Sequence, residues 1–214
     1  MKTKHLIGPV FIVGILILCP ANLCAENIDP NEDDSQYAYG ENVGWLNFEP
    51  SQGDGTQVSQ TQLTGYVWAE NIGWISLSCE NTGSCGTVDY GVTNDGAGNL
   101  SGYAWSENAG WISFSCNNTS SCGTVNYGVT IDSDGNFNGY AWAENIGWIN
   151  FGLADYYVVA CKVTFEDLAN FVEDWLDAGS VAGNLDSAGN VDFKDYSIFA
   201  SYWLDYCPDS WPLK

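Results

Sequence analysis

The chain has 214 residues, of which 27 are acidic and five are Lys or Arg, giving a formal net charge of −22. So few cations argue against binding to nucleic acids or to anionic membranes, because both depend on Lys and Arg. The single histidine, His5, precedes the expected mature chain, so Ser-His-Asp, Cys-His and His-ligated zinc chemistries lack their imidazole. The function classes that remain are carboxylate chemistry and the binding of calcium, neutral sugars or a protein partner.

The first 25 residues have the pattern of a secretory signal peptide. Lys2 and Lys4 precede an apolar run at residues 6–18, which is too short to span a bilayer. We predict cleavage after Ala25, with Ala21 as the alternative, and a linker at residues 26–36. The mature protein is therefore expected to be secreted, extracellular or at the cell surface, with no membrane insertion after signal removal.

Residues 37–155 contain one Trp-rich phrase four times. Examples are "GYVWAENIGWISL", "GYAWSENAGWISF" and "GYAWAENIGWINF", and the first Tyr of the four phrases is Tyr37, Tyr66, Tyr103 and Tyr140. Regular self-similarity indicates a repeat architecture. Apolar and polar residues alternate between the phrases, and "DSDGN" is typical of a hairpin turn. The sequence predicts a mainly β fold, an array of about four short β-meander repeats, and leaves open a propeller, a sandwich or a solenoid.

The tryptophans of the phrases allow two interpretations. The simpler is a core in which each repeat packs on its neighbours. The alternative is an exposed platform whose flat rings stack on neutral polysaccharide. The two Trp of one phrase can also differ in this respect. The phrases contain Trp45, Trp68, Trp74, Trp105, Trp111, Trp142 and Trp148. The platform residues are Trp68, Trp74, Trp105, Trp111, Trp142 and Trp148.

Each phrase also carries a Glu-Asn pair in its turn. A catalytic pair of carboxylates needs two different environments, one for the acid and one for the base. Four equivalent positions instead indicate turns in which Glu and Asn bond local backbone, so we predict that the protein is not an enzyme. The glutamates are Glu41, Glu70, Glu107 and Glu144.

Six cysteines follow the signal peptide, and an even number in an exported chain indicates disulfides. Their positions predict two disulfides between cysteines close in sequence and one long-range disulfide that encloses the C-terminal region. In the chain-entropy model the long loop contributes about 4 kcal/mol and each short loop about 2 kcal/mol. The predicted pairs are Cys79 with Cys85, Cys116 with Cys122, and Cys161 with Cys207.

A duplicated helical motif follows the repeats. "VTFEDLANFVEDWL" and "VDFKDYSIFASYWL" share apolar positions at helical spacing. Thr164 with Asp167, and Asp192 with Asp195, match the capping box that begins a helix. We predict a small two-helix α module at residues 156–208, with a tail at residues 209–214.

The segment "NLDSAGNVDFKD" matches a twelve-residue calcium loop. Calcium takes several oxygen ligands from a flexible loop, with Gly at the sharp turn, here Gly189. Ala188 departs from the pattern at position 5, where an oxygen ligand is expected. The predicted ligands are Asn184, Asp186, Asn190, Asp192 and Asp195.

This run resembles the dockerin-type modules of large secreted bacterial proteins, notably the version widespread among planctomycetes. The resemblance covers residues 156–208 and implies two calcium loop-helix units related by internal two-fold symmetry. It also implies docking onto a cohesin-like or other extracellular protein receptor, often in polysaccharide-degrading systems. The first half keeps Asp167 but lacks the other ligands, so at most one calcium is expected.

The repeats are similar to secreted bacterial proteins that carry GYAWSENxGWIxF phrases, a likeness that implies export and β-structure without an activity. Together these features predict a secreted, non-catalytic repeat protein attached to an extracellular or cell-surface assembly through the dockerin-like module. The alternative is a carbohydrate-binding module, delivered by the same docking module, that uses the repeat tryptophans.

Overall fold

The computed structural model describes residues 27–179, 181–208 and 211–214, and it confirms the predicted mainly β fold class. The predicted signal peptide, residues 1–25, lies outside the described residues. The described strands are β1 Tyr37–Gly40, β2 Gly44–Asn47, β3 Gln57–Val58, β4 Gln62–Thr64, β5 Tyr66–Ala69, β6 Gly73–Ser76, β7 Val92–Asn94, β8 Leu100–Ser106, β9 Gly110–Ser113, β10 Val129–Ile131, β11 Phe137–Ala143 and β12 Gly147–Asn150.

The four phrases form four β-hairpins that close into one antiparallel barrel. The hairpins are β1–β2, β5–β6, β8–β9 and β11–β12. Adjacent hairpins pair edge to edge, β2 with β5, β6 with β8 and β9 with β11. Finally β12 pairs with β1, where Asn150 lies opposite Tyr39. The repeats therefore close on themselves, in an eight-stranded barrel rather than a propeller, a sandwich or a solenoid.

The barrel interior is aliphatic and Phe-lined. In each hairpin an outward aromatic residue alternates with an inward small or branched one, so Tyr140 and Trp142 flank the fully buried Ala141. The inward residues are Ala38, Leu46, Phe48, Val67, Ile75, Leu77, Ala104, Ile112, Phe114, Ala141, Ile149 and Phe151. None of the seven repeat tryptophans is in this core. The interpretation of the tryptophans as core is therefore wrong, because a narrow barrel is filled by smaller side chains.

A ring of Asn side chains links the four hairpin turns at one end of the barrel. In each phrase the Asn that follows the Glu donates its side-chain N–H to a backbone carbonyl in the turn of the neighbouring repeat. The four bonds are 2.9–3.1 Å long. They run from Asn42 to Ile146, from Asn71 to Val43, from Asn108 to Ile72 and from Asn145 to Ala109. The expected local bonding of these Asn side chains is therefore wrong, since the bonds join different repeats.

The remaining strands and the disulfide loops extend from the barrel strands, and the buried side chains of these strands join the barrel core. Strands β3, β4 and β7 extend from β8 as a small antiparallel sheet, and β10 pairs with the start of β11. The loops that follow β6 and β9 begin with short 3₁₀ turns at Cys79–Thr82 and Cys116–Thr119. All three predicted disulfides are confirmed.

Two short helices form the C-terminal module, α1 Phe165–Glu173 and α2 Phe193–Ser201. Both predicted capping boxes are present. Phe171 and Phe199 are buried and stack with ring centroids 5.3 Å apart. No helix in the described part of the chain is long and apolar enough to cross a membrane.

The module packs directly against the barrel and against both flanking segments. Ile28, in the predicted linker, is buried and pairs with Ala160. Asn94 of β7 donates to the Tyr206 hydroxyl at 3.1 Å. Leu213, in the predicted tail, is buried in the module core. The barrel, the module and these segments thus share one continuous packed structure.

Candidate functional site

The outward tryptophans form an aromatic belt around the barrel. In each repeat the last Trp of the phrase is a hub that contacts neighbouring aromatic residues. Around Trp111, for example, the ring centroids of Trp105, Tyr103 and Tyr90 lie 4.6, 6.1 and 5.4 Å away. Because these rings pack on each other at steep angles, large exposed areas are held rigidly. The hubs are Trp45, Trp74, Trp111 and Trp148.

A large cavity lies where repeats 2 and 3 meet, and we call it the second groove. Its volume is about 710 Å³, within the range of roughly 300–1,000 Å³ that is typical of small-ligand sites. Trp74 forms one wall and Trp105 and Trp111 the other. Trp74 is 41% and Trp111 43% exposed, so flat ring surface is open to a ligand.

Polar side chains lie at both ends of the second groove. Glu107, with Asn108, lines the end near the hairpin turns. Thr82 and Ser84, from the Cys79–Cys85 loop, line the opposite end. Among the lining residues there is no Lys, so the local charge is that of a carboxylate. The groove therefore combines apolar faces with hydroxyl, amide and carboxylate groups, and disfavours anionic ligands.

Hydrogen bonds beneath the second groove fix its floor. The Ser76 hydroxyl donates to the Ser78 carbonyl and accepts from the Tyr90 hydroxyl, both at 3.0 Å. It also accepts from the Asn81 side chain at 2.9 Å. Asn81 belongs to the disulfide loop, so the loop, the floor and the wall at Tyr90 are held together. Such preorganisation lowers the ordering cost of binding.

Tyr66 adds to the same wall. Its hydroxyl donates to the Asn81 carbonyl at 3.3 Å. Burial raises the pKa of Tyr66 above its usual value, with smaller contributions from the neighbouring Tyr90 and Asp54. The phenol therefore stays neutral and acts as a donor.

A smaller cavity, the first groove, lies between repeats 1 and 2. Its volume is about 380 Å³, and Trp45, Trp68 and Glu70 line it. Tyr156 covers the hub, with ring centroids 4.4 Å from Trp45. Repeat 1 has no disulfide loop, so the first groove lacks the polar wall that the second groove has.

The belt contains all six predicted platform residues. Trp68, Trp74, Trp111 and Trp148 are 36–43% exposed, whereas Trp105 and Trp142 are half-buried against their hubs. Sequence reasoning missed Ser76, Thr82, Tyr90 and Tyr156. The available signal was the repetition of the segment after the disulfide loop, "DYG" and "NYG".

The predicted calcium loop is closed by its own hydrogen bonds. Asp195 is fully buried, and its two carboxylate oxygens accept the backbone N–H groups of Asp186 and Asp192 at 2.9 Å. Burial acts to raise the pKa of Asp195, but these backbone N–H groups outweigh it and lower the pKa. Asn184 accepts from the Ala188 N–H at 3.0 Å. Calcium binding stays a prediction that requires the loop to exchange such bonds for an ion.

Asp167 is the counterpart of Asp195 in the first half of the module, and its carboxylate forms an ion pair with Lys214. Its fully buried carboxylate accepts from Lys214 Nζ at 2.9 Å and from Trp211 Nε1 at 2.8 Å. It also accepts the Thr164 backbone N–H at 2.8 Å. The lysine therefore neutralises the carboxylate that is equivalent to Asp195, one of the predicted calcium ligands.

Within residues 27–179, 181–208 and 211–214, only one group of three metal-ligating side chains converges, namely Cys79, Cys85 and Asp89. Both cysteines are joined in a disulfide, which leaves a single carboxylate. No family model, curated protein or solved structure matches the chain. The function is therefore argued from the geometry of these residues.

Proposed function

We propose that the barrel is a carbohydrate-binding module that holds neutral polysaccharide in the second groove. The observation that carries this proposal is the open groove between Trp74 and the pair Trp105 and Trp111, with Glu107 at one end. Pyranose rings with equatorial substituents present flat apolar faces for stacking and hydroxyls for hydrogen bonds. Rigid aromatic walls with a few polar groups suit both features.

Charge narrows the class of ligand. The protein carries 27 acidic residues, and Glu107 lies in the groove itself, so uronic or sulfated glycans are repelled. The carboxylate of Glu107 is instead an acceptor for sugar hydroxyls. Neutral β-linked glucans and xylans combine flat faces with many hydroxyl donors.

Isothermal titration of the oxidised protein with cellohexaose and xylohexaose tests the proposal, with a hexauronate as the charged comparison. We expect at least one neutral hexasaccharide to bind and the hexauronate not to bind. Trp111→Ala is expected to lower affinity at least tenfold, because a central aromatic contact typically contributes more than about 1.4 kcal/mol. If neither neutral hexasaccharide binds, the proposal is refuted.

We further propose that the C-terminal module docks the protein onto a cohesin-like or other extracellular receptor. Exposed apolar pairs related by the internal duplication support this second function. Phe165 is 74% exposed, and its ring centroid lies 5.0 Å from that of Trp203. Phe193 is 78% exposed, and its ring centroid lies 5.3 Å from that of Trp175. Large exposed apolar residues in reciprocal pairs are typical of an interaction surface.

Surface plasmon resonance against an immobilised cohesin domain tests the docking. Phe193→Ser is expected to weaken binding, and Lys194→Ser on the same helix is the matched control. Equal binding by both variants and the parent chain would mean that the apolar pairs are not the docking surface. A full lack of binding by the parent chain would refute the cohesin assignment.

We propose that the protein is secreted and non-catalytic. Three disulfides support an oxidising compartment. Four exposed glutamates on equivalent turns support turn chemistry in place of an acid and base pair. Reducing-sugar assays on the glycans that bind are expected to show no hydrolysis. Hydrolysis abolished by Glu107→Gln would overturn this view.

A further inference from the structure

The residues that line the second groove recur 37 positions later in the chain, where repeats 3 and 4 meet. We call that place the third groove. Of the lining side chains, all but one are identical, the exception being Ala109 in place of Ile72. A smaller side chain at this position adds space and removes no polar group. The counterparts of Trp74, Ser76, Trp105 and Glu107 are Trp111, Ser113, Trp142 and Glu144.

The structure arranges the walls of the two grooves alike. Trp142 lies opposite Ser113 across the β9–β11 pairing, as Trp105 lies opposite Ser76 across the β6–β8 pairing. Trp148 is the counterpart of Trp111, and its ring centroid lies 4.5 Å from that of Trp142. It is 36% exposed, so the stacking surface is open here as well.

The polar framework is duplicated too. The Tyr127 hydroxyl donates to the Ser113 hydroxyl at 3.0 Å, which repeats the bond from Tyr90 to Ser76. The Asn118 side chain donates to the same hydroxyl at 2.9 Å. The Cys116–Cys122 disulfide fixes the loop that supplies the outer polar wall. The floor, both walls and the loop thus have the same chemistry as in the second groove.

One tryptophan belongs to both sites. Trp111 is the far wall of the second groove and, by the 37-residue equivalence, the near wall of the third groove. The hairpin β8–β9 separates the two grooves around the barrel.

We propose that the third groove is a second neutral-carbohydrate site, so that one barrel holds two polysaccharide chains and cross-links them. This inference rests on the proposed function of the second groove. The first groove is not an equivalent site, because repeat 1 lacks the disulfide loop that supplies Thr82 and Ser84 to the second groove. The partner is a neutral β-linked glycan whose chains are bridged by the protein.

Isothermal titration with cellohexaose and with xylohexaose measures the number of sites, and four variants assign them. The parent chain is expected to bind two molecules of the hexasaccharide that it recognises. Trp74→Ala removes only the second groove and Trp142→Ala only the third, so each is expected to bind one molecule with unchanged affinity. Trp111→Ala removes the shared wall and is expected to lose both. Trp45→Ala, in the first groove, is the matched control and is expected to bind two.

The outcomes separate the two proposals. Absence of binding by the parent chain to both hexasaccharides refutes the carbohydrate function and the second site with it. A stoichiometry of one, with Trp142→Ala equal to the parent chain, refutes only the second site. As an independent readout, the parent chain is expected to precipitate a soluble mixed-linkage β-glucan or a soluble xylan. Trp74→Ala and Trp142→Ala are expected to bind the same polymer without precipitating it, and precipitation by both would overturn the bridging.

Discussion

Ser106 provides a sharp test of how the barrel interior is stabilised. It lies at the end of β8, is 1% exposed, and its hydroxyl makes no hydrogen bond in the described structure. The equivalent residues of the other repeats are Gly40, Ala69 and Ala143, none of which carries a hydroxyl. The barrel therefore tolerates Ala at this position, and the hydroxyl of Ser106 is an uncompensated buried polar group.

Removal of this hydroxyl is expected to stabilise the protein. Burial of a hydroxyl without a partner costs about 1–3 kcal/mol in protein mutational data. Ser and Ala differ little in volume, so Ser106→Ala leaves almost no cavity. We expect the free energy of unfolding to rise by about 1–2 kcal/mol, which corresponds to roughly 2–8 °C in Tm for a chain of this size.

Ser113, on the neighbouring strand, is the matched control. It is also buried, but its hydroxyl donates to the Ser115 carbonyl at 3.0 Å and accepts from Asn118 and Tyr127. Ser113→Ala leaves two donors without their acceptor and is expected to destabilise the protein by about 2–3 kcal/mol. Guanidinium and thermal unfolding of the oxidised chain, followed by Trp fluorescence, measure both changes. A loss of stability in Ser106→Ala would refute the reasoning, because it would mean that the hydroxyl has a partner.

Three further predictions concern the polar contacts of the fold. Asn71→Ala is expected to lower the free energy of unfolding by about 1 kcal/mol, because the Val43 carbonyl loses its bond from the neighbouring repeat; chemical unfolding beside Asn71→Gln as a length control measures it, and no change would contradict a role in closure. Lys214→Met is expected to lower the free energy of unfolding by about 2 kcal/mol, because the buried Asp167 keeps its other donors but loses its cation. Lys214→Arg keeps the positive charge and is expected to lose less stability. Full stability of Lys214→Met would contradict a stabilising ion pair between Lys214 and Asp167. Calcium is expected to raise Tm relative to chelator. The stabilisation corresponds to about 2.7 kcal/mol when the free calcium concentration is one hundred times Kd. Identical melting curves in calcium and in chelator would contradict the predicted calcium ligands.

Local patterns in the sequence predicted the elements of this fold well. The hairpin turns, both capping boxes and the three disulfides depend on neighbouring residues or on simple pairing by position, and all are present. The helices end before the predicted apolar pattern does, since Leu176 and Leu204 have positive φ angles of 72° and 63°. The apolar faces of both helices are therefore only partly buried.

Closure and the grooves could not be predicted in the same way. The bond that joins Asn42 to Ile146 spans 104 positions, and no local pattern specifies which hairpin edges meet. The orientation of the tryptophans follows from that closure, because only a narrow barrel assigns Ala141 and its equivalents to the interior. The contact of Asp167 with Lys214 is likewise set by the folded chain, since the two residues lie 47 positions apart.

The pairing of β12 with β1 limits the number of repeats that this barrel can contain. In an open solenoid, a unit can be gained or lost with little consequence, because each unit contacts only its neighbours. Here the Asn ring is a closed circuit, and a fifth copy of the phrase would require ten strands and a wider interior that the present Ala, Val, Ile, Leu and Phe side chains could not fill. The closed circuit therefore fixes the number of repeats in this barrel at four.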